Sequence, residues 1–365
     1  MTTKSISIIG IILAVFLVVS GCNSNTNEVT SENSKQNPKS TSKAEIEEKI
    51  TLKFASSSPA NAPYTKGVME PFMDRVTELT NGQVQFEFYP AEQLGKTGDL
   101  LDLAKDGATD IAYYGPLFYP SKMPIGSALT GMPGLYKTGH QGSVNYHSIV
   151  NESPILETDY LSNNVRPIIT TMVRQAEFWT KGQEINVPND LKGLKVRASG
   201  GVTNKFLEYL GATPVFVNTP DMYEAFDQGI LDVLHMFAST LNSYGLGELL
   251  TYGTEGARFG GGLVGFVINE DVYQGLPENV QKAIIQAGDE ITGTYSKNNS
   301  DKENERVIKE WDESEEITIH HLTEDESKHW EDAANEFNKS WLKEQDSKEF
   351  IQAYEMFKEA LKEHD

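Results

Sequence analysis

Two successive series of alternating strands and helices constrain this chain more than any other feature. Ile50, Leu52 and Phe54 share one face of a strand over 50–55. Pro63 opens a helix carrying Val68, Phe72, Val76 and Leu79, closed by Asn81-Gly82. Val84, Phe86 and Phe88 then alternate with Gln85 and Glu87, Leu100 to Ala104 mark a helix ended by Gly107, and 110–114 gives a third strand. This is the βαβ pattern of a mostly parallel sheet. A second series follows, with strands over 167–173, 194–198, 215–217 and 231–237, and with helices over 204–210 and 223–228. Residues 260–269 read as a strand returning toward the first lobe, and the chain is helical after Pro277, with a break at Ile317-Thr318-Ile319. The fold class is α/β: a two-lobed clamshell with mixed, mostly parallel sheets, a helical C-terminal segment and a ligand in the cleft.

The start of the chain sets its compartment. Lys4 precedes an almost unbroken apolar run from Ile6 to Val19, then Ser20-Gly21-Cys22. The run is short for a membrane span and has the form of an export signal. Val19-Ser20-Gly21-Cys22 also resembles the bacterial lipobox, and Cys22 is the single cysteine, so lipidation at Cys22 is expected and an internal disulfide is impossible. A polar stretch without apolar periodicity follows. The expected organisation is 1-21 signal peptide, 22-48 disordered tether, 49-171 plus about 260-300 first lobe, and 172-259 plus about 301-365 second lobe.

A formal net charge of −22 disfavours nucleic acid and anionic membrane surfaces as partners, so attachment falls to the lipid and an anionic ligand needs a local basic pocket. Arg197 is the candidate. It ends the strand over 194–198, before Ser199-Gly200-Gly201 and the helix that follows. A planar guanidinium beside a helix N-terminus suits a carboxylate or phosphate; a solvated arginine on a strand edge is the alternative these residues leave open.

Several segments in order carry a family resemblance. They are Tyr89-Pro90-Ala91-Glu92-Gln93-Leu94-Gly95, Asp106-Gly107 with Asp110-Ile111, Leu191-Lys192-Gly193-Leu194-Lys195-Val196-Arg197, Leu210-Gly211-Ala212-Thr213-Pro214, Tyr223-Glu224-Ala225-Phe226, Gly229-Ile230-Leu231-Asp232 and Leu276-Pro277-Glu278. The chain resembles the DctP-like solute-binding proteins of tripartite ATP-independent periplasmic (TRAP) transporters over about residues 50–358. The resemblance implies a periplasmic-binding-protein-like fold that closes on an organic acid and delivers it to large and small membrane permease subunits. It implies that Arg197 forms a bidentate salt bridge to the substrate carboxylate. It also matches Arg174-Gln175 to an Arg-Gln pair of the sialic-acid branch, whose arginine meets substrate; the alternative for Arg174 is a hinge arginine paired with a surface carboxylate. Ser57 matches a polar contact position, Tyr114 ends the third strand at the cleft mouth, and Asn218 ends the strand after Gly211.

The departures fall at 229–237. Val233 stands where the family has glycine, His235 where it has an acid, and Met236 where the sialic-acid branch has asparagine. The expectation is a pocket with an apolar side, suited to a less hydroxylated carboxylate, with His235 either touching ligand or filling the strand end. An enzyme is the competing class, but Gly-x-Ser-x-Gly and His-Glu-x-x-His are both missing. His320, His321 and His329 lack metal-ligand spacing. No cofactor or metal is expected. A sensory lipoprotein presenting the same ligand to a receptor is the other alternative.

Overall fold

The computed structural model describes residues 48–198, 200–217 and 219–363. Cys22, the signal and almost all of the tether lie outside them, as does Asn218. Eleven strands form two sheets among the described residues. In chain order they are β1 (Ile50–Ala55), β2 (Val84–Tyr89), β3 (Ile111–Tyr114), β4 (Val165–Val173), β5 (Ala176–Thr180), β6 (Lys195–Ala198), β7 (Thr213–Phe216), β8 (Val233–Met236), β9 (Tyr252–Phe259), β10 (Gly262–Asn269) and β11 (Thr318–His321). The first sheet has the order β2-β1-β3-β10-β4 and the second β11-β9-β5-β8-β6-β7.

Both sheets are mixed for one reason. The βαβ units set β1, β2 and β3 parallel, and likewise β6, β7 and β8. The strands that run between the sheets enter antiparallel: β10 beside β3 and β4, and β5 beside β8 and β9. Five of the nine strand pairings among the described residues are therefore parallel.

Chain crossings tie the two sheets together. Arg174 and Gln175 lead from β4 to β5, and Gly260 and Gly261 lead from β9 to β10. The two crossings touch, since Ala176 N–H donates to the Gly260 carbonyl at 3.1 Å. A helix, Asp301–Ser314, makes a third link. Its Asp301 carboxylate accepts from Gly139 and His140 N–H on the first sheet's side. Further along, Trp311 packs edge-on to Trp179 of β5, ring centroids 5.1 Å apart.

Apolar side chains on both faces of each sheet need cover, and helices supply it. Phe54, Phe266 and Ile268 of the first sheet pack with Phe72, Val76, Val280 and Ile284. On the second sheet, Trp179, Leu234 and Met236 pack with Met222, Phe226 and Trp311. The other faces of both sheets share one continuous core, which includes Tyr114, Tyr146, Phe178, Phe206, Phe259 and Trp330.

The last helix, Lys348–Glu363, packs on the first sheet's side. Its buried residues Phe350, Ala353, Phe357 and Ala360 recur at the spacing of one helical face. That face is met by the helix Gly139–Ile149, with Phe357 set edge-on to Tyr146 at 5.9 Å. The chain end thus returns to the first sheet's side.

Candidate functional site

The parallel strands β6, β7 and β8 point their C-terminal ends at one place, and the chain turns away there to start helices. In open α/β sheets such ends leave a crevice. Here the crevice is a cavity of about 480 Å³. Arg197, Phe216, Thr219, Met236 and Phe237 line it from the strand ends of the second sheet. Leu117 and Phe118, from the turn after β3, face it from the first sheet, and the two crossings close it with Val173, Ala176 and the run 260–264.

Arg197 is the cation of this cavity. The β6–β7 pairing, with Arg197 opposite Val215, brings the carbonyl just past β7 within reach of its side chain: Nε donates to the Val217 carbonyl at 3.2 Å. The residue is 7% exposed, and burial lowers its pKa to about 10, so it stays charged at neutral pH. No carboxylate among the described residues pairs with it. A desolvated guanidinium that lines a cavity without a carboxylate partner among the described residues carries a demand for an anion.

His235 lines the same cavity but is not a second cation. Its ring stacks on Phe259 at 4.3 Å, and Nε2 lies 2.9 Å from the Phe259 carbonyl, which fixes Nε2 as the protonated nitrogen of a neutral ring. Burial, with a smaller contribution from Arg197, lowers its pKa to about 3. His235 therefore both fills the strand end and forms part of the wall. Met236 contributes apolar surface, its carbonyl held by Trp179 Nε1–H at 2.9 Å.

Arg174 lies elsewhere. It donates to Glu177 Oε1 at 3.1 Å, within the crossing rather than on the cavity wall. The partner is a buried carboxylate, 1% exposed, where the sequence alternative was a surface one. Burial raises the Glu177 pKa to about 7, against the opposing pull of Arg174. A raised carboxyl pKa stabilises below the unfolded value and loses that contribution as pH rises through the folded one. Arg174→Ala removes the compensating charge. It is expected to cost about 3 kcal/mol at pH 8 and clearly less at pH 5.5, where Glu177 is protonated. Thermal melts at the two pH values check this, and an equal loss at both contradicts it.

Two further expected residues are not on the wall. Tyr114 is fully buried in the core, its hydroxyl 2.8 Å from that of Tyr160, because its position on β3 points inward. Ser57 is half-buried past the end of β1. The residues that sequence reasoning passed over are Leu117, Phe118, Phe216 and Phe237, together with the glycine run 260–262, whose three adjacent glycines were the one legible sign of close packing. Of the histidines weighed as ligands, His320 bonds Glu326 and His321 bonds Glu255. Among the described residues no cluster of His, Cys, Asp or Glu is placed to hold a metal ion, and no helix is long and apolar enough to cross a membrane.

A family model described as bacterial extracellular solute-binding protein, family 7 (DctP), matches residues 54–345. The chain belongs to this DctP family. A curated relative is the C4-dicarboxylate-binding periplasmic protein DctP of Rhodobacter capsulatus, 24% identical over 308 residues, which cover 79% of this chain and 85% of the relative. Two solved structures share the DctP fold. One is a TRAP solute-binding protein from Rhodoferax ferrireducens in complex with copurified benzoate: 23% identity, TM-score 0.73, covering 86% of this chain and 98% of that one. The other is a marine-metagenome TRAP solute-binding protein in complex with metahydroxyphenylacetate: 24% identity, TM-score 0.72, covering 87% and 100%. The DctP family and these neighbours are solute-binding proteins, not enzymes, and this chain is an extracytoplasmic solute-binding protein of that type.

Proposed function

We propose that this protein is the solute-binding component of a TRAP-type transporter, and that it captures an organic acid by a salt bridge from Arg197 to the ligand carboxylate. The observation that carries this reading is the buried Arg197 guanidinium, without a carboxylate partner among the described residues, opening into a cavity of about 480 Å³. In a water-poor cleft a bidentate carboxylate pair greatly exceeds the ~0–1 kcal/mol of an exposed one. Ligands named with the solved neighbours, benzoate and metahydroxyphenylacetate, are carboxylates and agree with the reading, as does the C4-dicarboxylate in the relative's name.

Closure of the two lobes excludes water and strengthens the pair. The closed form then docks on the large and small permease subunits, with Cys22 lipidated to keep the protein at the membrane. Met236 belongs to the binding wall and His235 shapes it. Arg174 supports the crossing through Glu177 instead of meeting ligand, and Ser57 and Tyr114 lie off the cavity wall. A thermal-shift screen over organic acids tests the reading. An acid far above its dissociation constant should stabilise by about 2.7 kcal/mol or more, and its uncharged amide should not. Equal shifts from acid and amide contradict the salt bridge.

A further inference from the structure

The cavity wall holds more information than its cation. Among the described residues the ionisable groups on it are Arg197 and His235, and His235 Nε2 is already committed to the Phe259 carbonyl. The wall therefore answers one negative charge. A second carboxylate drawn into it would shed its hydration with no second cation among the described lining residues to pair with, which is unfavourable.

Apart from Thr219 and the backbone of the glycine run, the rest of the described wall is apolar, and two of its three phenylalanines, Phe118 and Phe216, are exposed. Phe216 is the last residue of β7, 65% exposed, and immediately precedes the Val217 whose carbonyl holds Arg197. Phe118 faces from the first sheet, 52% exposed. Its ring lies over Gly115, where a Cβ would come within 3.1 Å of it. Exposed large rings are common on protein surfaces, but here one from each sheet borders the cavity that Arg197 lines. A flat, apolar ligand body anchored at Arg197 would cover both. Rings in such pairs gain from offset or edge contact beyond the area they bury.

We propose that the site takes an aromatic monocarboxylate and rejects dicarboxylates such as succinate, with Phe118 and Phe216 as the specificity-determining residues that grip the ring. The inference rests on the Arg197 reading and narrows it. It also sets this chain apart from what the R. capsulatus relative's name states for that protein.

Calorimetry on the purified full chain tests it with four probes: benzoate, benzamide, cyclohexanecarboxylate and succinate. Benzoate should bind, succinate and benzamide should bind at least about 100-fold more weakly, and cyclohexanecarboxylate should fall between. Phe118→Ala and Phe216→Ala should each weaken benzoate roughly tenfold, while Phe216→Leu should keep cyclohexanecarboxylate near its wild-type affinity and still weaken benzoate. Melting temperatures of the variants should match wild type, since both rings are exposed. Succinate binding as tight as benzoate, lost in Arg197→Ala, overturns the monocarboxylate claim and leaves the salt bridge standing. Benzamide binding as tight as benzoate overturns the salt bridge itself. Benzoate affinity unchanged in both phenylalanine-to-alanine variants overturns the grip.

Discussion

Arg197→Ala should remove carboxylate binding and leave the ligand-free protein as stable as wild type or more so. Both halves follow from the same geometry. With ligand bound, a desolvated charge pair is broken and the ligand carboxylate is left without its partner, a loss of about 2–5 kcal/mol or roughly 30- to several-thousand-fold in affinity. Without ligand, the arginine is a buried cation whose side chain donates, among the described residues, to the Val217 carbonyl, and burial lowers its pKa. Taking it away removes a desolvation cost and no ion pair. Arg197→Lys keeps the charge but not the planar fork, so it should also bind poorly, by about tenfold or more. Calorimetry for affinity and melts of the apo protein check the two halves separately. A variant that loses several degrees of stability when empty would show that the guanidinium is structural.

The largest effect on folding is expected at Gly265→Ala. Gly265 lies in β10, the strand that pairs with both β3 and β4. A Cβ built there would come within 1.8 Å of the Ile169 carbonyl oxygen, a backbone atom in the neighbouring strand. A flexible side chain can step aside from such a contact, but a ladder carbonyl cannot move without opening the β10–β4 pairing. Overpacking of this kind costs about 3 kcal/mol, and here it falls in the strand that joins the sheets. Chemical denaturation of Gly265→Ala should show that loss at an unchanged m-value, and a loss under about 0.5 kcal/mol contradicts the register described. Gly260, at the crossing, is constrained differently. Its φ of +62° and a would-be Cβ 2.6 Å from His235 Cε1 make it glycine for both conformation and space.

Much of this architecture was legible in the residues, and the failures have physical causes. The βαβ series could be read because alternation of apolar residues reports a half-buried strand directly. β5 and β9 could not. Ala176 to Thr180 is buried at every position, so it shows no alternation, and β9 mixes glycines and charges with apolar residues. These are strands of the crossing, surrounded on both sides. Arg197 was legible because it sits at a strand end before a glycine-rich turn. Tyr114 occupies a strand end too, but the parity of β3 turns it into the core, which a one-residue register difference decides and no periodicity reveals. Arg174 shows the same limit. Whether a buried arginine waits for ligand or already has a carboxylate depends on a residue three positions on, Glu177, whose burial only the fold makes plain.

The sequence points to an apolar wall through Val233, His235 and Met236, and in the structure those residues play different parts. Val233 lies in the core, His235 is neutral and stacked, and only Met236 presents plain apolar surface. The aromatic content comes instead from Phe118 and Phe216, placed on one cavity by opposite sheets 98 residues apart in the sequence. Long-range juxtaposition of that kind leaves no local signature.

The central claim is that a carboxylate sits on Arg197, and a crystal structure of the protein soaked or co-crystallised with benzoate tests it most directly. The account predicts both carboxylate oxygens on the Arg197 guanidinium at about 2.7–2.9 Å, with the ring between Phe118 and Phe216. Benzoate bound with its carboxylate directed to solvent or to another cation, and Arg197 still held only by the Val217 carbonyl, would contradict it.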